Sequence, residues 1–183
     1  MRILVAYLSQ TGNTEQVARA IGEAVSSHGH QVDLRAAGEI AAQALNRYDL
    51  VYLGSACHDT DLARPVQRLL AEIDDSPPFR LAGFVTHATQ MPDQEGRARE
   101  LYDRWAGNCV RTFRRASAGK QIPFLGYFHC QGAPSPPIEA FIHHTILTDR
   151  DEWETYLAQV RAHPTEEDLQ RAEEYARQVL DSC

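Results

Sequence analysis

Six consecutive residues near the start of the chain, Ser9-Gln10-Thr11-Gly12-Asn13-Thr14, bring together hydroxyls, amides and a glycine. They follow a continuous apolar run, Ile3 to Leu8. They precede a stretch from Glu15 to about His28 in which Val17, Ala20, Ile21, Ala24 and Val25 recur at helical spacing. A turn between a buried strand and a helix start offers an anion several backbone N–H groups and roughly +0.5 charge from the helix dipole. At about 1.5–3 kcal/mol for each charge-assisted hydrogen bond, three or four such bonds hold a phosphate without any basic side chain. The loop contains no Lys or Arg, and it matches neither GxxxxGK[ST] nor GxGxxG. A nucleoside triphosphatase and a tightly held dinucleotide are therefore disfavoured. A polar turn that merely caps a helix is the plainer alternative, but S-x-T-G-N-T after a first buried strand is more specific than that role requires.

Other chemistry-bearing residues cluster in two later loops, Ser55-Ala56-Cys57-His58-Asp59-Thr60-Asp61 and Thr86-His87-Ala88-Thr89-Gln90-Met91. His129-Cys130 ends a further apolar run. All should fall on one rim of a sheet, where a soft-ligand metal site is conceivable, although the spacings match no metal motif. His143-His144 reads as surface. Cys57 or Cys130 as a nucleophile would need a lowered pKa, and packed thiols are the alternative. No GxSxG elbow exists. Ser55 stands where a phospho-receiver needs an acid.

These loops need elements to hold them. Unbroken apolar character from Ile3 to Leu8 marks a strand buried on both faces. Further strands are expected at Gln31–Arg35, Leu50–Ser55, Phe79–Thr86 and Pro123–Cys130. A helix carrying Leu62, Val66, Leu69, Leu70 and Ile73 follows the third strand. A long one from Gln94 to about Ser117 carries Leu101, Trp105 and Val110. The last helix follows Pro164, with Thr165 and Asp168 as a capping box and Leu169, Ala172, Tyr175, Ala176 and Val179 on its buried face. Strands alternating with helices mean an α/β fold with a parallel sheet wound on both faces. The segment from Gly132 to His163 is irregular, with a helix near its end through Trp153, Leu157 and Val160. A lid, a dimer surface and packing over a sheet edge are its possible roles.

With 183 residues, the chain suits one domain at about 150 residues per domain. No apolar run approaches the ~20 residues of a membrane span, so a cytoplasmic protein with no membrane partner is expected. Eighteen Lys and Arg against twenty-five Asp and Glu give a charge of −7. That argues against nucleic-acid binding, which relies on basic side chains against phosphates, and suits basic protein partners or simple solubility. Four scattered cysteines without a CxxC fit reduced thiols.

The strand from Ile3 to Leu8, the loop Ser9–Thr14, the strand Leu50–Ser55 and the lead His163-Pro164-Thr165-Glu166-Glu167-Asp168 together resemble the flavodoxin family over nearly the whole chain. The resemblance implies a five-stranded parallel sheet in order 2-1-3-4-5 and FMN as cofactor. Carried across by position, Ser9, Gln10, Thr11, Gly12, Asn13 and Thr14 would bind the phosphate. Ser55, Ala56, Cys57, His58, Thr86, His87, Ala88 and Gln90 would border the flavin ring. The family commonly sets a Trp or Tyr against the ring. Neither loop has one, so His58, His87 or Met91 would form the wall, and a more exposed ring would leave room for a substrate or partner.

An electron carrier between redox proteins (a reductase, a ferredoxin or an acceptor enzyme) is the function this implies. One alternative is an FMN-dependent oxidoreductase that reduces a small organic acceptor, with NAD(P)H or a redox protein as donor. Another is a flavin-free interaction domain on the same scaffold. A negative charge about 8 Å from the reduced ring costs roughly 2 kcal/mol at an effective dielectric near 20. Asp59, Asp61 and Asp93 would lower the potential if they faced it.

Overall fold

The structure, a computed structural model, describes residues 1–92 and 96–183. Asp93 and Gln94, the latter the expected start of the long helix, lie outside the described residues. Five parallel strands form the sheet: β1 (Arg2–Leu8), β2 (Gln31–Ala36), β3 (Leu50–His58), β5 (Arg80–His87) and β6 (Phe124–Gln131), in order β2-β1-β3-β5-β6. Counted among themselves, they have the expected order 2-1-3-4-5. A two-residue strand, β4 (Asp61–Leu62), is additional and pairs antiparallel with the end of β3.

Helices α1 (Asn13–Ser27) and α7 (Glu166–Asp181) cover one face; α2 (Arg64–Glu72) and α4 (Asn108–Lys120) cover the other. Alternate residues of each central strand enter opposite cores. Ile3, Val5, Leu50, Tyr52, Ala82 and Phe84 pack toward α1 and α7, whereas Leu4, Ala6, Val51, Leu53, Leu81 and Val85 pack toward α2 and α4. This is why the strands read as unbroken apolar runs. Both buried phenols on the α7 side are satisfied: Tyr52 donates to the Ala176 carbonyl and Tyr175 to that of Gly83, each at 2.9 Å. The capping box at Thr165 is present, with the Asp168 carboxylate accepting from the Thr165 N–H at 2.9 Å.

Gly54 of β3 faces Phe84 so closely that a Cβ would lie 2.2 Å from the ring. Gly54→Ala should therefore cost about 3 kcal/mol, the upper range of overpacking. Adding Phe84→Leu should recover about half of it, measured by urea unfolding. Equal losses in the single and double variants would show that the ring is not the obstacle.

Three expectations change. Leu62, expected on the helix after the third strand, belongs instead to β4, and α2 begins only at Arg64. The long helix is two, α3 (Arg97–Trp105) and α4, broken at Ala106-Gly107. The N–H groups of Ala106 and Gly107 both bond the Tyr102 carbonyl, at 2.8 and 2.9 Å, which ends the first helix. Leu101 and Trp105 then face outward over the sheet's rim, while Cys109 and Phe113 enter the core. A single apolar stripe in sequence thus serves two surfaces. The irregular segment contains two helices, α5 (Pro136–Thr145) as well as the expected later one, α6 (Arg150–Val160). Their own small core of Ile142, Leu147, Tyr156 and Val160 packs against Ala88 in the loop after β5.

Candidate functional site

The loop Ser9–Thr14 lies at the carboxyl end of β1, where the connections from β1 and β3 leave toward opposite faces. Gly12 occupies the N-cap of α1 with φ of 90°, a left-handed conformation that costs glycine nothing. No side chain caps this helix. Its first intrahelical bond runs from the Gln16 N–H to the Gly12 carbonyl, at 3.0 Å. The N–H groups of Asn13, Thr14 and Glu15 are therefore left without intrahelical acceptors, as at any helix start. Thr11 and Gln10 are exposed and Ser9 is half-buried, its hydroxyl accepting from the Gly12 N–H at 3.1 Å.

Asn13 and Thr14 are buried and have protein partners. The Asn13 amide donates to the Ala133 carbonyl at 2.8 Å and to the Thr11 hydroxyl at 2.9 Å. The Thr14 and Thr86 hydroxyls meet at 2.8 Å, tying the loop to β5. An uncapped helix start beneath exposed hydroxyls fits a phosphate, with Asn13 and Thr86 as braces.

Beside this loop opens a cavity of about 590 Å³, well within the range of small-molecule sites. Of the residues expected to border a ring, Cys57, His58, His87, Ala88 and Gln90 line it, and so does Gln10. Ser55, Ala56 and Thr86 do not line it. Ser55 is fully buried, its hydroxyl donating to the Ala56 carbonyl at 2.7 Å and accepting from the Ala63 N–H at 2.9 Å. Met91 does not line it either. Asp59 and Thr60 take φ of 48° and 71°, making the β3–β4 turn a tight hairpin. Asp59 lines the cavity. Asp61 instead turns toward α4, accepting from the Thr112 hydroxyl at 2.9 Å.

The aromatic wall missing from the loops comes from elsewhere. Trp105 of α3 and Phe141 of α5 meet edge to face at 5.7 Å between ring centres, and Tyr156 of α6 joins them. The helices of the irregular segment therefore roof the cavity. Tyr156 donates to the Ala88 carbonyl at 2.9 Å, and Arg97 pairs with Glu152 at 2.7 Å. Sequence reasoning passed over these residues because no local pattern separates an aromatic that lines a cavity from one that packs in a core.

Behind the cavity His87 and His129 share a hydrogen bond of 2.9 Å between Nε2 and Nδ1. His87 Nδ1 lies 2.8 Å from the Thr89 hydroxyl and 3.1 Å from the Thr89 carbonyl, which anchors the ring to the loop after β5. Burial, followed by the neighbouring His129, pushes His87 down to about 3. Burial, followed by Arg171, takes His129 to about 4. Both rings are neutral at physiological pH. The Tyr102 ring covers both at about 5 Å, and burial pushes its phenol up. The pair thus sets the shape of the loop after β5 without placing a charge beside the cavity. Among the described residues no cluster of His, Cys, Asp and Glu could hold a metal ion.

A family model described as flavodoxin domain matches residues 4–177. A flavodoxin of Nitratidesulfovibrio vulgaris is 38% identical over 60 residues, which cover 32% of this chain and 40% of that protein's length. The fold is also that of oxidised flavodoxin 2 from Bacillus cereus, with a TM-score of 0.68, 20% identity and full coverage of both chains. It recurs within the longer rubredoxin:oxygen oxidoreductase of Desulfovibrio gigas, with a TM-score of 0.56, 13% identity, and 98% of this chain covering 37% of that one. From the strand order, the uncapped loop after β1 and the family model's span, the chain belongs to the flavodoxin family, whose members bind FMN and carry electrons.

Proposed function

We propose that this chain binds FMN non-covalently and carries electrons between redox protein partners. The observation that carries this reading is the uncapped, hydroxyl-rich start of α1 directly beside an aromatic-walled cavity. The flavin, when bound, supplies the redox chemistry. The chain's own residues bind and orient it. Ser9, Thr11 and the first N–H groups of α1 meet the phosphate, braced by Asn13 and Thr86. Cys57, His58, His87, Ala88 and Gln90 border the ring, with Trp105 and Phe141 as its aromatic wall. The helices α5 and α6 exclude water from that side.

The net charge of −7 suits docking to basic partners such as a reductase, and four free cysteines suit the cytoplasm. A second reading is favoured by the largely apolar roof of Ile138, Phe141, Ile142 and Leu147: reduction of a small organic acceptor in the same cavity. Rapid anaerobic reduction by NAD(P)H alone would favour that enzyme. Reduction only through a reductase or ferredoxin would favour the carrier.

Titration with FMN tests the reading directly. Shifted visible bands and quenched flavin fluorescence are expected at saturation. Trp105→Ala should retain binding but weaken it about tenfold, the equivalent of about 1.4 kcal/mol for one lost ring contact. A folded protein that leaves FMN fluorescence unchanged would overturn the proposal.

A further inference from the structure

Charge is unevenly spread along the chain. Residues 97–120, which run through α3 and α4, hold seven Lys and Arg against two Asp and Glu, a charge of +5, while the rest carries −12. Arg97, Arg99 and Lys120 are paired, with Glu152, Asp103 and Asp75. Arg104, Arg111, Arg114 and Arg115 are exposed, and they pair with no carboxylate among the described residues.

These cations border the mouth of the cavity. Arg104 lies over the Trp105 ring, 5.2 Å from its centre, and Trp105 lines the cavity. Arg111 donates to the Asn108 side-chain oxygen at 3.0 Å, and the Asn108 amide reaches the hydroxyl of Thr60 in the β3–β4 hairpin at 3.5 Å. Arg115 donates to the Thr112 hydroxyl at 3.3 Å, which in turn donates to Asp61 of that hairpin at 2.9 Å. Arg64 of α2, also exposed, shares a hollow with His58 and Asp59 of the hairpin. The same mouth carries an apolar patch: Ile138 and Phe141 of α5 are 47% and 42% exposed, and Phe141 meets Trp105 edge to face. An apolar centre with a charged rim is the anatomy of a small, transient protein interface.

We propose that this face, centred on Trp105 and Phe141 and edged by Arg64, Arg104, Arg111 and Arg115, is the docking surface for an acidic redox protein. The proposal rests on the carrier reading, in which the chain meets one partner that gives electrons and another that takes them, and it assigns the acidic one to this face. The carboxylates elsewhere on the chain repel such a partner, so only this orientation is attractive, and charge sets the approach more than the final affinity. One electron then leaves the partner's iron–sulfur cluster and is taken up by the bound flavin. A nucleic-acid strand is a poorer fit. Asp59, Asp61, Glu100 and Asp103 stand among the arginines and repel a continuous run of phosphates, whereas single carboxylates on a protein can be set between them.

The test uses the flavin-free chain and a strongly acidic plant-type [2Fe–2S] ferredoxin as probe, with binding followed by calorimetry at low salt. Arg111→Glu/Arg115→Glu should weaken binding at least about tenfold. Arg35→Glu/Arg47→Glu makes the same change of charge at exposed sites on the edge strand β2 and before β3, and should alter binding less than about threefold. At about 0.5 M salt, where screening acts within roughly 4 Å, the two variants should converge. With FMN loaded, the first variant should accept electrons from reduced ferredoxin about tenfold more slowly while its FMN affinity stays within about twofold of the parent's. No ferredoxin binding by the parent, or equal losses in both variants, would overturn the proposal. Tighter binding of a single-stranded oligonucleotide than of ferredoxin, or a dimer of the chain alone that the Arg111 and Arg115 reversals break, would do the same. Ferredoxin binding without FMN uptake would remove the carrier reading and leave the docking face standing; FMN uptake without ferredoxin binding would do the opposite.

Discussion

Thr11→Glu should weaken FMN binding about a thousandfold while leaving riboflavin binding within about threefold. Thr11 is the most exposed hydroxyl of the loop, above a helix start that no side chain caps. A carboxylate there meets the phosphate charge at roughly 5 Å, a repulsion of about 3 kcal/mol at an effective dielectric near 20. One charge-assisted hydrogen bond of about 1.5–3 kcal/mol is lost as well. Solvent at this exposed position trims the sum to about 4 kcal/mol, or a factor of about a thousand.

The same carboxylate sits well at a helix N-terminus, so the ligand-free protein should gain about 0.3–1 kcal/mol. Weaker binding with higher stability is a signature that local unfolding cannot imitate. Fluorescence titrations with FMN and riboflavin, together with thermal melts, check both parts. A parallel loss of riboflavin binding would show that the loop's shape, not its contact with phosphate, had been destroyed. Thr14→Val is the less clean variant. It leaves the buried Thr86 hydroxyl without its partner and so mixes a stability cost of about 1–3 kcal/mol with any loss of binding.

Acidification from pH 6.5 to 4.5 should cost the ligand-free protein about 4 kcal/mol, nearly all of it from His87 and His129. Their folded values of about 3 and about 4 lie below the unfolded value of about 6.5. As pH falls below 6.5, the unfolded chain takes up protons that the folded rings refuse, so stability falls with pH. Each ring accounts for about 2 kcal/mol over this interval. The loss ends only as pH passes the two folded values.

Asp168 adds a separate, lower window. Burial raises its carboxyl, but bonds from Thr165 and His163 outweigh burial and leave it below the usual range. Its contribution is present above the unfolded carboxylate value and is lost as pH falls through the folded one. Urea unfolding at several pH values should show the slope beginning near pH 6.5 in the parent protein. The double variant His87→Leu/His129→Phe, which keeps the rings' volume without titratable groups, should flatten most of it. An unchanged slope in that variant would assign the acid sensitivity elsewhere.

Features encoded within a few neighbouring residues are legible in the sequence itself. The apolar runs at Ile3–Leu8 and Leu50–Ser55 declare strands buried on both faces. Thr165 and Asp168 declare a capped helix, and Ser9–Thr14 declares a polar turn at a helix start, because strand burial, capping and turn chemistry all act over less than one helical turn or one strand. These local facts are enough to imply the winding of the sheet and the family.

Side-chain meetings between elements far apart in the chain are decided by tertiary structure. The break at Ala106-Gly107 depends on two N–H groups sharing the Tyr102 carbonyl, and it turns Trp105 toward the cavity while Cys109 goes to the core. Phe141 and Tyr156 become walls only because α5 and α6 fold over the loop after β5. His87 finds His129 because β5 and β6 are adjacent and parallel, a pairing across forty-two positions. Sequence determined which surfaces are apolar and where the polar turn before α1 falls. Packing determined which aromatics wall the cavity and which histidine loses its charge, since each depends on the burial and distance that long-range contacts create.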